Sequence, residues 1–481
     1  DLAFMVHRIH NAGQFVLLEE GDPWQDEVLE ITYPQEIHTC SKCHTDDAAN
    51  ADLSELVPTS MNCGSCHEDV NFVTGDNHAG GPQTDANCAL CHTAGFSIGG
   101  VDLDPAVVHI PDPLPENVPE YDVTIIMTPP ANGTHYVAGE APEVTVTLAG
   151  ANPVDYDANQ DAVGDTDGVL HEADLFIYGP RANAVPVLAT DTVNDTVGFV
   201  APPTQGHNLL VADELGVPNP DILVTTDATG YKYQLLPIPA DFPAGTYMVR
   251  FEGLDFGTPG APTVPEYWTA STAVINFQVG TADEEAKVSG DACTNCHGDT
   301  IMHLEGAHPH HAPFDTDGCI ACHDLSENYG NYIGNRVHAV HSASATGDLH
   351  LSGGLPRNWS EVTYPRPANN CRTCHTNSAA DVPVWRDPNE VACGGCHGTQ
   401  RNPDPVDYPD VSADDLIKES AAAAHMEEMG GSFDATTTNP YDANYVMRQC
   451  IVCHGEDRIA DTFVTHGLVN FPATDTSTPA D

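Results

Sequence analysis

The chain has 481 residues, long enough for several domains, and sets 15 basic side chains against 71 acidic ones, a formal charge of −56. Such a chain repels nucleic acid and anionic lipid, so neither is an expected partner. No apolar run reaches the roughly 18 residues that a membrane-spanning helix needs.

The first predicted element is a helix in "FMVHRIHNAG", Phe4 to Gly13, with His7 and His10 three apart and no cysteine beside them. That spacing puts both imidazoles on one helical face. The same pattern returns in "NRVHAVHSAS", with His338 and His341.

Next comes a first cysteine cluster: "CSKCH" (Cys40, Cys43, His44), "CGSCH" (Cys63, Cys66, His67) and "CALCH" (Cys88, Cys91, His92). A second cluster holds "CTNCH" (Cys293, Cys296, His297), "CIACH" (Cys319, Cys322, His323), "CRTCH" (Cys371, Cys374, His375), "CGGCH" (Cys393, Cys396, His397) and "CIVCH" (Cys450, Cys453, His454). All 16 cysteines thus fall into Cys-x-x-Cys pairs, and a histidine follows every pair. Disulfide scaffolds need no such spacing, and zinc ribbons need no histidine at that place. Attachment of c-type haem needs both. Two thiols three residues apart reach the two vinyl groups on one porphyrin edge, and the next imidazole lies under the iron. The expectation is eight covalent haems c with these eight histidines as proximal ligands.

Between the clusters about 200 residues lack cysteine. "YDVTIIMTPP", "PEVTVTL", "ADLFIYGP", "YKYQLLPI", "AGTYMVRFEG" and "TAVINFQVG" alternate apolar and polar residues between Gly, Pro, Asn and Asp. This predicts an antiparallel sandwich or barrel of about seven strands. Within it, Asp155 to Gly168 carries five aspartates, whose hard oxygens suit Ca²⁺. It lacks the glycine and closing glutamate of an EF-hand, and a solvated turn is the alternative. The expected fold class is multidomain: haem-packed modules of coil and short helix, 1–119 (three motifs) and 282–481 (five motifs), flanking an all-β domain, 120–281.

The two haem segments repeat one another. His7 and His338 each precede a motif (Cys40, Cys371) by 33 residues, and Tyr33-Pro34 and Tyr364-Pro365 each stand seven residues before it. By this alignment the first copy reads as a five-motif module whose first two motifs are missing. The alignment also pairs His10 with His341, His78 with His425, and His109 with His466. With one histidine from "TIMHLEGAHPHHAPF", His303 first and His308 or His311 as alternatives, the second module has five distal ligands for five motifs; the first has four, and its missing upstream part would supply the fifth. His38, His135, His171, His207 and His350 have no repeat mate and read as surface residues. Two imidazoles per iron leave no open coordination site, which suits electron transfer.

Several stretches resemble the outer-membrane multihaem cytochromes of metal-reducing bacteria, the MtrC/OmcA family: "FMVHRIHNAG", "VHAVH", "NHAGG" before "CALCH", "PPANGTHYVAGEAPEVTVTL" and "LFIYGPRA". The resemblance implies two pentahaem modules, each after a β-domain, on the extracellular or outer-membrane surface after secretion through the periplasm. It implies electron transfer to ferric minerals, flavins or other multihaem cytochromes. By that pattern this chain lacks one β-domain and two haems. Two other classes fit a multihaem chain: a subunit polymerising with itself into a conductive filament, and a reductase of metals or oxyanions. A reductase needs one open iron, often marked by a CxxCK motif, and all eight motifs here end in histidine.

Overall fold

The computed structural model describes residues 2–10, 44, 58–67, 69–109, 121–149, 172–181, 185–187, 207–208, 224–227, 230–255, 269–297, 315–320, 323, 332–346, 349–352, 355–358, 364, 367–375, 388–397, 400–401, 416–418, 421–429 and 450–467. Cys40, Cys43, Cys322, His303, His308, His311 and the aspartate-rich stretch 155–168 lie outside them. The chain divides into two compact units, Asp1–Pro113 with Asn295–Thr300, and Leu114–Thr294 with Ile301–Asp481. Among the described residues no helix is long and apolar enough to cross a membrane.

The first unit is built from short pieces: α1 (Leu2–His10), α2 (Ser60–Cys63), α3 (Asp85–Cys88), the two-residue strands β1 (Ser97–Ile98) and β2 (Val101–Asp102), and α4 (Pro105–Val108). Its ties are polar and local. The Thr59 hydroxyl accepts from the Asn62 amide at the start of α2, as an N-cap does. The Asp85 carboxylate accepts from the amide and hydroxyl of Ser60 at 2.8 and 2.6 Å, joining α2 to α3.

The second unit contains the predicted β region: β3 (Asp122–Met127), β4 (Glu143–Ala149), β5 (Glu172–Gly179), β6 (Val185–Pro186), β7 (His207–Asn208), β8 (Val224–Asp227), β9 (Gly230–Gln234), β10 (Gly245–Asp255) and β11 (Thr269–Val279). One sheet runs β3-β4-β9-β8; the other runs β11-β10-β5-β6, with β7 also on β5; every pairing is antiparallel. β4 shows the cause. Val144, Val146 and Leu148 point inward and are buried, while the threonines between them face the other way. Tyr231 and Tyr233 from β9 join the same apolar cluster, as do Tyr247, Val249 and Phe251 from β10 and Leu175 and Ile177 from β5. Each fully buried side chain of this size stabilises the unit by about 1.5–3 kcal/mol. Gly230 has a φ of +132°, and a Cβ there would lie 2.1 Å from the Val146 carbonyl oxygen, so the β8-β9 turn requires glycine. The six quoted segments all became strands. The three that went unread, β6, β7 and β8, are two to four residues long, too short to show a period.

β10 is buried on both faces. Its second face, with Met248, meets Phe176 and Tyr178 of β5 and Ile320 from α6 (Thr316–Ile320), and Ile333 of a later helix packs on this cluster. A sheet face therefore seats the Cys319 motif.

Candidate haem sites

The motifs share a local geometry. The histidine amide donates to the carbonyl of the first cysteine at 2.8–3.0 Å in the motifs of His67, His92, His323, His375 and His454. This is one helical turn, and it gathers two sulfurs and one imidazole on a single side. The motifs of His297 and His397 lie within helices α5 (Gly290–His297) and, further on, Glu390–His397. All thirteen described cysteines are free, and no group of three or more His, Cys, Asp or Glu gathers among the described residues. Neither a disulfide framework nor a zinc cage is present there. Before attachment, burial would push the thiol of Cys371 up to about 11 and that of Cys393 up to about 12.

The histidines meet in pairs. The ring centroids of His7 and His44 are 6.2 Å apart, those of His67 and His109 6.1 Å, and those of His78 and His92 6.3 Å. In the second module His338 and His375 are 6.1 Å apart, His397 and His466 6.0 Å, and His425 and His454 6.1 Å. An imidazole nitrogen sits about 2 Å from a bound first-row metal, with the ring centroid about 1 Å behind it, so two imidazoles on opposite sides of one iron have centroids about 6 Å apart. Six motif histidines and six repeat-matched histidines therefore fit a bis-histidine iron in spacing. Exposed apolar side chains lie within a few residues of these rings, including Met61, Leu90, Val107, Val108, Ile451 and Val452, and supply the surface that a porphyrin face would cover.

Helices place the rings that face the motif histidines. α1 carries His7, while His10 on the same helix is exposed and its Nδ1 lies 2.8 Å from the Val6 carbonyl. α7 (Ile333–Thr346) carries His338 and His341; α8 (Glu390–His397) packs against it; α9 (Ala421–Glu428) carries His425. α10 (Ile451–His454) ends in a motif histidine, and α11 (Thr462–Thr465) is capped by His466. The His341 ring meets Tyr364 edge-on at 5.3 Å. Nδ1 faces a backbone carbonyl in His10, His78 (Gly81), His92 (Leu103), His109 (Pro105), His341 (Val337), His454 (Ala460) and His466 (Thr462), at 2.8–3.1 Å. A carbonyl that accepts the Nδ1 proton leaves Nε2 free to bind a metal. Burial holds His375 down at about 4, with His338 adding to the effect, and lowers His338 and His341; burial and then His44 and His10 lower His7. These rings are neutral at neutral pH, the form that binds a metal.

Sequence reasoning missed the polar groups around the Cys319 motif. Asp317, buried, accepts from Arg181 Nε and Nη2, each at 2.9 Å, and from Lys287 at 2.8 Å. Lys287 also donates to Asp315, and Arg250 Nη1 donates to the Gly318 carbonyl. Arg336 Nη1 lies 3.2 Å from Nδ1 of His323. The available signal was the scarcity of basic residues in so acidic a chain.

Motif turns that face repeat-matched imidazoles across the span of one iron define a multihaem c-type cytochrome. The family model for "Outer membrane cytochrome MtrC/MtrF-like, domains II/IV" matches residues 1–102 and 285–467, more than half of the chain, and the chain belongs to that family. Haem c in this family is covalently bound. Among solved structures the chain is similar to the crystal structure of MtrC from Shewanella baltica OS185, at 16% identity and a TM-score of 0.44, over 88% of this chain and 66% of that one. The chain thus spans just under two thirds of that structure's length. No curated protein matches.

Proposed function

We propose that the chain passes electrons at the outer cell surface through eight bis-histidine haems c, to ferric minerals or to other multihaem cytochromes. The observation behind this reading is the set of six ring pairs at 6.0–6.3 Å. His44, His67, His92, His375, His397 and His454 are the proximal ligands, with His7, His109, His78, His338, His466 and His425 opposite them. His297 and His323 are proximal to two further irons, with His341 and one of His303, His308 or His311 as their distal ligands. His10 holds the repeat position of His341 and would be a ninth distal ligand, for an iron outside these eight.

Bound haem supplies a one-electron couple. The protein's imidazoles would hold the iron from both sides, keep substrates off it and favour a lower potential than a His/Met pair. The three-part division 1–119, 120–281 and 282–481 fits this reading, with the β-sandwich as spacer or docking surface. Intact-mass counting of haems with EPR tests it: eight haems, all low-spin, are expected, and one stoichiometric high-spin haem in the oxidised protein refutes full bis-histidine ligation.

A further inference from the structure

We propose that Asp104 and Asp461 are positioning residues, each fixing with its carboxylate a strap that holds the proximal imidazole of one haem and presents the distal imidazole of another. The inference rests on the bis-histidine reading above. At the His92 motif the ring Nδ1 lies 3.1 Å from the Leu103 carbonyl. The next residue, Asp104, is buried, and its Oδ2 accepts from the Gly95 amide at 2.7 Å. The Asp104 carbonyl accepts from the Val107 and Val108 amides and so opens α4, after which His109 faces His67. The last motif of the second module repeats this. Nδ1 of His454 lies 3.1 Å from the Ala460 carbonyl, and the next residue, Asp461, is buried. Its Oδ2 accepts from the Asp457 amide at 2.8 Å. Its carbonyl accepts from the Val464 and Thr465 amides and opens α11, after which His466 faces His397.

Loop length does not explain the correspondence. Asp104 comes twelve residues after its motif histidine and Asp461 only seven, and the hairpin β1-β2 takes up the difference. The clasped amides are nevertheless matched. Gly95 and Asp457 each stand three residues after the motif histidine, with φ of +71° and +57°. An aspartate rarely holds that left-handed conformation, so the turn needs an outside hold. A carboxylate accepting from an amide supplies it, in a bond about twice as strong as a neutral one. His78 faces His92 and His425 faces His454, so each strap meets the ligands of two irons. Passage of an electron between two haems depends on their separation and orientation, and a rigid strap keeps both constant.

The test is EPR of the oxidised holoprotein beside Asp104→Ala, Asp461→Ala and Asp461→Ser, with signals assigned from those that vanish in His425→Ala and His466→Ala. Each alanine variant is expected to shift the low-spin signals of two haems and leave the others unmoved; the double alanine variant is expected to shift four. Asp461 Oδ1 also accepts from the Phe463 amide at 2.8 Å, an ordinary helix cap. Serine keeps that cap but is too short to reach the Asp457 amide. Asp461→Ser is therefore expected to recover the melting temperature while the His425–His454 signal stays shifted. Unmoved signals in both alanine variants overturn the proposal. So does a shift of the His397–His466 signal alone that serine reverses, which makes Asp461 a cap and nothing more. So does a shift of every signal together with a lowered melting temperature. Spin state in the parent reports separately on the ligation reading: low-spin haems throughout, with signals unmoved in the variants, refute the clasp alone.

Discussion

His338 and His375 face each other with ring centroids 6.1 Å apart and planes 23° apart, and their repeat mates His7 and His44 do so at 6.2 Å and 28°. The next matched pairs, His397 with His466 and His67 with His109, stand at 52° and 59°. The duplication seen in the spacing of the chain thus extends to ring angle in two matched pairs; the third, His78–His92 and His425–His454, matches in distance at 6.3 and 6.1 Å but stands at 36° and 59°.

Removing one ring of such a pair has a defined outcome. His338→Ala is expected to convert one haem to a high-spin, five-coordinate or water-ligated form, seen by resonance Raman and EPR. His338→Met is expected to keep six ligands and raise that potential, because a thioether is a weaker donor than imidazole. Unchanged spectra in the alanine variant would remove His338 from the ligand set.

Acid tests the His338–His375 site. The His375 value of about 4 lies below the ordinary 6.5. Between those values the unfolded chain takes up a proton that the folded chain refuses, so this contribution is complete above pH 6.5 and is lost as pH falls toward 4, about 3 kcal/mol in all. The His338–His375 site is expected to keep its low-spin signal as pH falls from 6.5 and to lose it only as pH approaches 4, read by EPR on the holoprotein.

Gly395 sits where α8 crosses α7. A Cβ there would lie 2.6 Å from the His338 Cβ and 2.7 Å from the Asn335 carbonyl oxygen. Gly395→Ala is expected to force the helices apart, cost about 1–3 kcal/mol and disturb the spectra of the His375 and His397 haems together. A melting temperature equal to that of the parent would show that the close approach is dispensable.

The Arg181–Asp317–Lys287 network carries a linked prediction. Burial alone would raise the Asp317 carboxyl, but hydrogen bonds and charge from Arg181 and Lys287 hold it below the usual range. Its stabilising contribution is therefore present above the ordinary carboxylate value and is lost as pH falls through the lowered one. Arg181→Met, which strands the carboxylate on one cation, is expected to cost about 3 kcal/mol in denaturant unfolding. Arg181→Met combined with Asp317→Leu is expected to cost less than that single change. A double variant at least as damaged as the single one would show that the charges are not coupled.

The motifs and the long strands were legible because their information is local. A CxxCH turn closes over five residues, and a strand like β4 shows its buried face every second residue. The repeat extended this reach: His109 and His466 have no motif around them, yet their shared register named both. The tertiary structure alone decided which imidazole faces which motif. His425 meets His454 rather than the nearer His397, since two rings meet where the fold brings them together, and chain separation does not measure that distance. It alone also placed Asp317 under two cations and Arg336 against His323. A charged side chain has no period along the chain, and its role depends on the groups that burial in the fold leaves within hydrogen-bond reach.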